Sequence, residues 1–223
     1  MFCRHPRLNT LRTDLFSDLA SFRALESRIA LLDEELQRGD ALEVFVEAYL
    51  QTHPLFQVKD LWLVGQIPGD VRKTLNLPRD QKGIDGVFRT RSGSLVPYQV
   101  KFRIARPRVN VREVSTFLGL TERATDRMLI SNSDRYAGDI ENRDHLRILT
   151  GTYFDSLTRD ELAAIAEWLK GRPVRPTPAK PRPHQQAAIK DITAAFVEED
   201  RATAVMACGT GKTLVGLRVA EAM

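Results

Sequence analysis

Residues 171–183, GRPVRPTPAKPRP, hold Pro173, Pro176, Pro178, Pro181 and Pro183, five of the chain's eleven prolines. Each proline fixes φ and removes a backbone donor, so this run reads as an extended, semi-rigid connector and not as core. It also carries four basic residues and no acid. A chain of 223 residues divided there leaves room for one full domain before the run and a fragment after it. Hydrophobic residues make up 43% of the chain and charged residues 28%, enough apolar material for a real core and too much for disorder. Lys and Arg number 33 against 29 Asp and Glu, so the formal charge of +4 is mild and its distribution matters more than its size. Cys3 and Cys208 are too few for a disulfide framework or a cysteine metal set and read as reduced thiols. The N-terminus has no signal-peptide core, and no stretch reaches the roughly 18–20 uncharged residues of a membrane helix. A soluble, cytoplasmic protein is expected.

Before the connector, helical and strand patterns alternate. Leu15, Phe16, Leu19, Phe22, Leu25, Ile29, Leu32 and Leu36 recur at helical spacing over residues 11–37. Asp40 is placed to cap a second helix over 41–52, which His53-Pro54 ends. Strands are expected at about 56–65, 84–90 and 95–102, the last two joined by Arg91-Ser92-Gly93-Ser94. A helix over 110–122, strands at 128–131 and 146–150, and a helix at 158–170 complete an α/β sandwich with a mixed sheet.

Two short runs on the paired strands carry chemistry. Side chains alternate along a strand, so Gln99 and Lys101 share one face and Val100 takes the other. A three-residue loop Arg91-Ser92-Gly93, with Gly93 left-handed, sets Asp85 across from Gln99; a two-residue loop would set it across from Val100. With the first register, Asp85, Gln99 and Lys101 converge at the end of the sheet. A carboxylate and an amide oxygen are hard ligands suited to Mg²⁺, and an ammonium beside them can steady charge on a phosphate. Glu43 on the 41–52 helix offers a second carboxylate, and Glu47, one turn on, competes with it.

Glu43, Gly83-Ile84-Asp85 and Gln99-Val100-Lys101, within GDALEVFVEAYL and YQVKFR, resemble the acid, Asp and Gln-x-Lys of the Mrr-like branch of the PD-(D/E)xK nucleases. They are similar in particular to the N-terminal nuclease domain of restriction-type helicases. The resemblance spans about residues 38–150. It implies a restriction-endonuclease-like domain over 38–170, preceded by a helical segment at 1–37. It implies Mg²⁺ or Mn²⁺ at Glu43, Asp85, Gln99 and Val100, and catalysis by Glu43, Asp85, Gln99 and Lys101. Gln99 stands where many relatives have Glu or Asp, although Gln is usual in the Mrr-like branch.

The strand bearing Lys101 runs into KFRIARPRVNVR, with Arg103, Arg106, Arg108 and Arg112 and no acid. These cations are placed to neutralise the phosphates of double-stranded DNA without reading its sequence.

After the connector, Met206-Ala207-Cys208-Gly209-Thr210-Gly211-Lys212-Thr213 follows an apolar, strand-like stretch and opens a helix. Glycines there let backbone N–H groups approach phosphates at a helix N-terminus, with Lys212 on the β/γ-phosphates and Thr213 on Mg²⁺. The run resembles motif I of superfamily 2 helicases, and Arg182-Pro183-His184-Gln185 is similar to their adenine-sensing segment. The resemblance implies that Gln185, Gly209, Thr210, Gly211, Lys212 and Thr213 bind ATP, and that 184–223 begin a RecA-like motor. Its acidic Mg²⁺ partner and second lobe would lie further along, so ATPase and helicase activity are expected only in a longer chain. Such a chain would hold the rest of the motor, with a methyltransferase or specificity module as a further candidate. Residues 184–223 alone are expected to be poorly ordered or to pack opportunistically.

The leading expectation is therefore a Mg²⁺-dependent DNA endonuclease module of a restriction or phage-defence nuclease–helicase. The alternative is a catalytically weak, nuclease-like DNA-binding module that positions the helicase.

Overall fold

A computed structural model describes residues 5–11, 14–78, 83–172, 174, 181–206 and 211–223. The chain divides into two compact units, Met1–Pro176 and Thr177–Met223, and the division falls inside the proline-rich run.

The first unit is built on a five-stranded sheet: β1 (Val58–Leu63), β2 (Gly86–Thr90), β3 (Leu95–Lys101), β4 (Arg127–Ser131) and β5 (Leu146–Leu149), in spatial order 1-2-3-4-5. β1–β2 and β2–β3 pair antiparallel, β3–β4 and β4–β5 parallel. The helices of this unit are α1 (Phe22–Ala30), α2 (Glu35–Thr52), α3 (Gly69–Thr74), α4 (Val111–Leu120), α5 (Gly138–Glu141), α6 (Gly151–Asp155) and α7 (Arg159–Leu169). The parallel pairs need crossovers, and α4 and α5 lie in them. The alternation of β3 and β4 divides the core between the two faces of the sheet. Val96, Tyr98, Val100, Met128 and Ile130 join α1, α2, α6 and α7 on one side. Leu129 and Val87 join Val71 of α3, Val114 and Phe117 of α4 and Ile140 of α5 on the other. This is a mixed α/β architecture with a helix-flanked mixed sheet.

The second unit pairs α8 (Pro183–Glu198) with α9 (Lys212–Ala222). The two helices are well formed and pack on each other, against the expectation of poor order and in keeping with that of packing. Pro183 sits at the first position of α8, where its missing N–H costs nothing. The strand expected before the phosphate loop is absent: described residues up to Met206 are irregular and Val205 is exposed. A strand needs a ladder partner, and none exists among the described residues of this unit.

Two further expectations are corrected. Residues 11–37 are not one helix: only Phe22–Ala30 is helical before α2, and Leu15, Phe16 and Leu19 enter the core from turns. The segment is thus part of the first unit's core and not a separate helical preface. Asp40 caps nothing, because α2 begins at Glu35 and carries Asp40 in its interior. Among the described residues no helix is long and apolar enough to cross a membrane. Cys3 and Cys208 lie outside the described residues.

Candidate active site

The β2–β3 hairpin has the three-residue loop. Thr90 N–H bonds the Ser94 carbonyl at 2.9 Å, and Gly93 takes φ +95°. The ladder runs from Arg89–Leu95 to Gly86–Tyr98, and Asp85 continues it. Asp85 N–H donates to the Tyr98 carbonyl at 3.0 Å, and Asp85 Oδ2 accepts the Val100 N–H at 2.6 Å. Asp85 therefore brackets Gln99, tied by its main chain to the residue before and by its carboxylate to the residue after. Gly83 permits this entry: its φ is +95°, and a Cβ there would collide with Thr116 of α4.

Gln99 is 5% exposed, and its Oε1 is buried with no hydrogen-bond partner. A buried amide oxygen without a donor costs about 1–3 kcal/mol, so this atom lacks the electropositive partner its position calls for. Asp85 is pushed up to about 7, first by burial and then by the charge of Glu43, against the Val100 N–H, Lys101 and His5. Asp85, Glu43, Lys101 and His5 thus share one electrostatic neighbourhood, in which the Asp85 carboxyl resists ionisation.

Glu43 and Glu47 are told apart by their partners. Glu43 Oε2 lies 3.1 Å from His5 Nε2 and its side chain keeps 26% exposure. Glu47 is buried and accepts the His5 N–H at 2.6 Å. The competing acid is an anchor for the N-terminal segment. Sequence reasoning missed that His5 and Asp40 lie beside Glu43. One ligand atom each from His5, Asp40 and Glu43 lies within 4.8 Å of the others. A lone histidine 35 and 38 residues before its acidic neighbours gives no sequence signal.

The basic run behaves unevenly. Arg106 is 8% exposed and bonds Glu26 (2.7 and 2.9 Å), Asp155 (2.9 Å twice) and Asp134 (3.2 Å). Its expected place among the DNA-facing cations is corrected: five bonds to three carboxylates in the interior outweigh any phosphate outside. Burial alone would lower its pKa, but these carboxylates outweigh it and raise it further. Arg103 pairs with Glu113 at 2.6 Å and is only 21% exposed. Arg108 and Arg112 are exposed.

In the second unit, Gln185 is buried, and its Oε1 takes the Arg182 N–H at 2.8 Å. A Cβ on Gly211 would collide with the Gln185 amide, and Gly211 has φ +81°. Glycine is what allows the two to meet. Lys212 Nζ bonds the Met206 carbonyl at 3.1 Å, and Thr213 is exposed one residue into α9. Gly209 and Thr210 lie outside the described residues.

Residues 178–223 match the family described as "Type III restriction enzyme, res subunit". This region is therefore helicase-like and restriction-enzyme-related. No curated protein matches the chain. Among solved structures, the chain is similar to "ATP-dependent Type ISP restriction-modification enzyme LlaBIII bound to DNA", at 22% identity and a TM-score of 0.50. The match covers 88% of this chain and 13% of that one, so the chain spans a small part of that enzyme's length. At that identity the likeness is one of fold.

Proposed function

We propose that the first unit is a Mg²⁺-dependent DNA endonuclease with a restriction-endonuclease-like fold, and that the second begins a RecA-like motor. Together they would form part of an ATP-dependent restriction or phage-defence nuclease–helicase acting in the cytoplasm. The observation that carries the reading is the orphaned Oε1 of Gln99, bracketed by an Asp85 carboxylate that is itself difficult to ionise. Both features are ones that a bound cation would satisfy. The donor set also fits the ion: two carboxylates, an amide oxygen and a backbone carbonyl are hard oxygen ligands.

Glu43, Asp85, Gln99 and the main chain of Val100 would hold Mg²⁺ or Mn²⁺. When bound, the ion supplies a Lewis acid that activates water and neutralises phosphate charge. Val100 N–H fixes Asp85 Oδ2, which leaves Oδ1 for ligation. Lys101 would place its ammonium against the scissile phosphate and steady the charge that builds there. Arg108 and Arg112, with a lesser part for Arg103, would hold duplex DNA by its backbone. The restriction enzyme that resembles this chain in fold was solved bound to DNA, which supports that partner. In the second unit, Gln185, Gly209, Thr210, Gly211, Lys212 and Thr213 would receive ATP within a complete motor.

Nicking of supercoiled plasmid by the 223-residue protein in Mg²⁺ tests the reading. Wild type should cut, and Asp85→Asn or Lys101→Ala should lose at least about 100-fold in rate. Wild type that shifts DNA without cutting, in Mg²⁺ and in Mn²⁺, would favour the weak DNA-binding module instead.

A further inference from the structure

The geometry points to a second divalent-cation site, formed by His5, Asp40 and Glu43 and selective for a transition ion such as Mn²⁺ over Mg²⁺. It shares Glu43 with the Asp85 site of the proposed nuclease but does not require that site to cut DNA.

The three ligand atoms already lie within 4.8 Å of one another, close enough for small side-chain adjustments to bring them onto one small ion. Each is held by the fold. Asp40 and Glu43 stand three residues apart on α2 and so face the same way. His5 is 8% exposed, and Glu47 pins its backbone N–H at 2.6 Å, which fixes where the imidazole can reach. The two acids have side chains 14% and 26% exposed, so water screens them little. Burial and the charge of Glu43 raise the pKa of Asp40. The fixed cation nearest Asp40 is Arg7, 3.7 Å away and 54% exposed, too solvated to balance two acids. One imidazole nitrogen with two carboxylates is a donor set that suits Mn²⁺ or Zn²⁺, whereas Mg²⁺ takes oxygen alone. Three protein ligands leave positions open for water or a phosphate oxygen.

Coordination has one local consequence. His5 Nδ1 now accepts a long 3.3 Å contact from Arg7 N–H, and Nε2 faces Glu43. Ligation through Nε2 moves the ring proton to Nδ1, so the Arg7 contact breaks while the Glu47 anchor remains.

Electron paramagnetic resonance of Mn²⁺ titrated into the 223-residue protein, in a large excess of Mg²⁺, tests the proposal. Mg²⁺ should empty the all-oxygen Asp85 site, and one Mn²⁺ per chain should stay bound. His5→Gln, which keeps a polar group toward Glu43 without an imidazole, should weaken that Mn²⁺ at least about tenfold. Asp40→Asn should do the same, and it carries the test where His5→Gln does not fold. Complete displacement of Mn²⁺ by Mg²⁺, or wild-type affinity in a folded His5→Gln or Asp40→Asn variant, would overturn the proposal. Without Mg²⁺, a second Mn²⁺ should appear that Asp85→Asn removes. Its absence would count against the nuclease reading while the histidine site stood.

Discussion

The strand that carries Gln99 and Lys101 is bordered by two groups of buried charge that are balanced in opposite ways. Around Arg106, one guanidinium meets Glu26, Asp134 and Asp155, with every bond between 2.7 and 3.2 Å. Around Asp85, acids gather with Glu43, Lys101 and His5 near them, Asp85 is pushed up to about 7, and a buried amide oxygen has no donor. The first group is finished by the protein's own side chains and ties α1, α6 and the loops after β3 and β4 together. On the proposed reading, the second would be finished by a bound cation. A paired buried charge reads as architecture, and an unpaired buried acceptor beside crowded acids reads as a binding site.

The largest test of the contrast removes the guanidinium. Arg106→Met should cost about 3 kcal/mol by denaturant unfolding, because three partly buried acids lose their cation. A loss under about 1 kcal/mol would make the group ornamental. Asp85→Asn should act the other way. The folded-state value near 7 lies above the ordinary 3.8, so folding favours the protonated acid. That contribution is complete below pH 4 and is lost as pH rises through 7. At pH 8 without metal, the asparagine variant should exceed wild type by on the order of 2 kcal/mol, and the gain should vanish near pH 4.

Within the basic run, Arg108→Ala and Arg112→Ala should each lower the salt dependence of duplex binding by about one unit of slope and leave stability within ~0.5 kcal/mol. Equal effects from all the arginines would erase the distinction between Arg106 and its exposed neighbours. A separate, modest effect belongs to an ordinary paired acid. Burial would raise the pKa of Glu161, but His53 and Thr158 hold it down at about 2. Its contribution is present above pH 4.5 and is lost as pH falls through 2. Thr158→Ala, which breaks its capping box, should cost about 1 kcal/mol at pH 7.

The sequence made the Asp85 hairpin legible because one short loop determines it: Gly93 must be left-handed, and the register follows. Five strands and the helices over 110–122 and 158–170 were legible from periodicity to within a few residues, whereas the helix expected over 41–52 starts six residues earlier, at Glu35. The helix expected over 11–37 was not legible, because helical spacing also arises when turns drop Leu15, Phe16 and Leu19 into a core. Arg106 was hidden among arginines of like appearance, since its burial depends on Glu26 and Asp155, 80 and 49 residues away. His5 was hidden for the same reason. Pairing at long range is set by the fold, and no local pattern announces it.

The most direct measurement of the central claim is the melting temperature of wild type and Asp85→Asn at pH 8, each with millimolar Mg²⁺ and with chelator. The account predicts that Asp85→Asn melts higher in chelator, and that Mg²⁺ raises wild type by several degrees while leaving the variant almost unmoved. Equal responses to Mg²⁺ in the two proteins would contradict it.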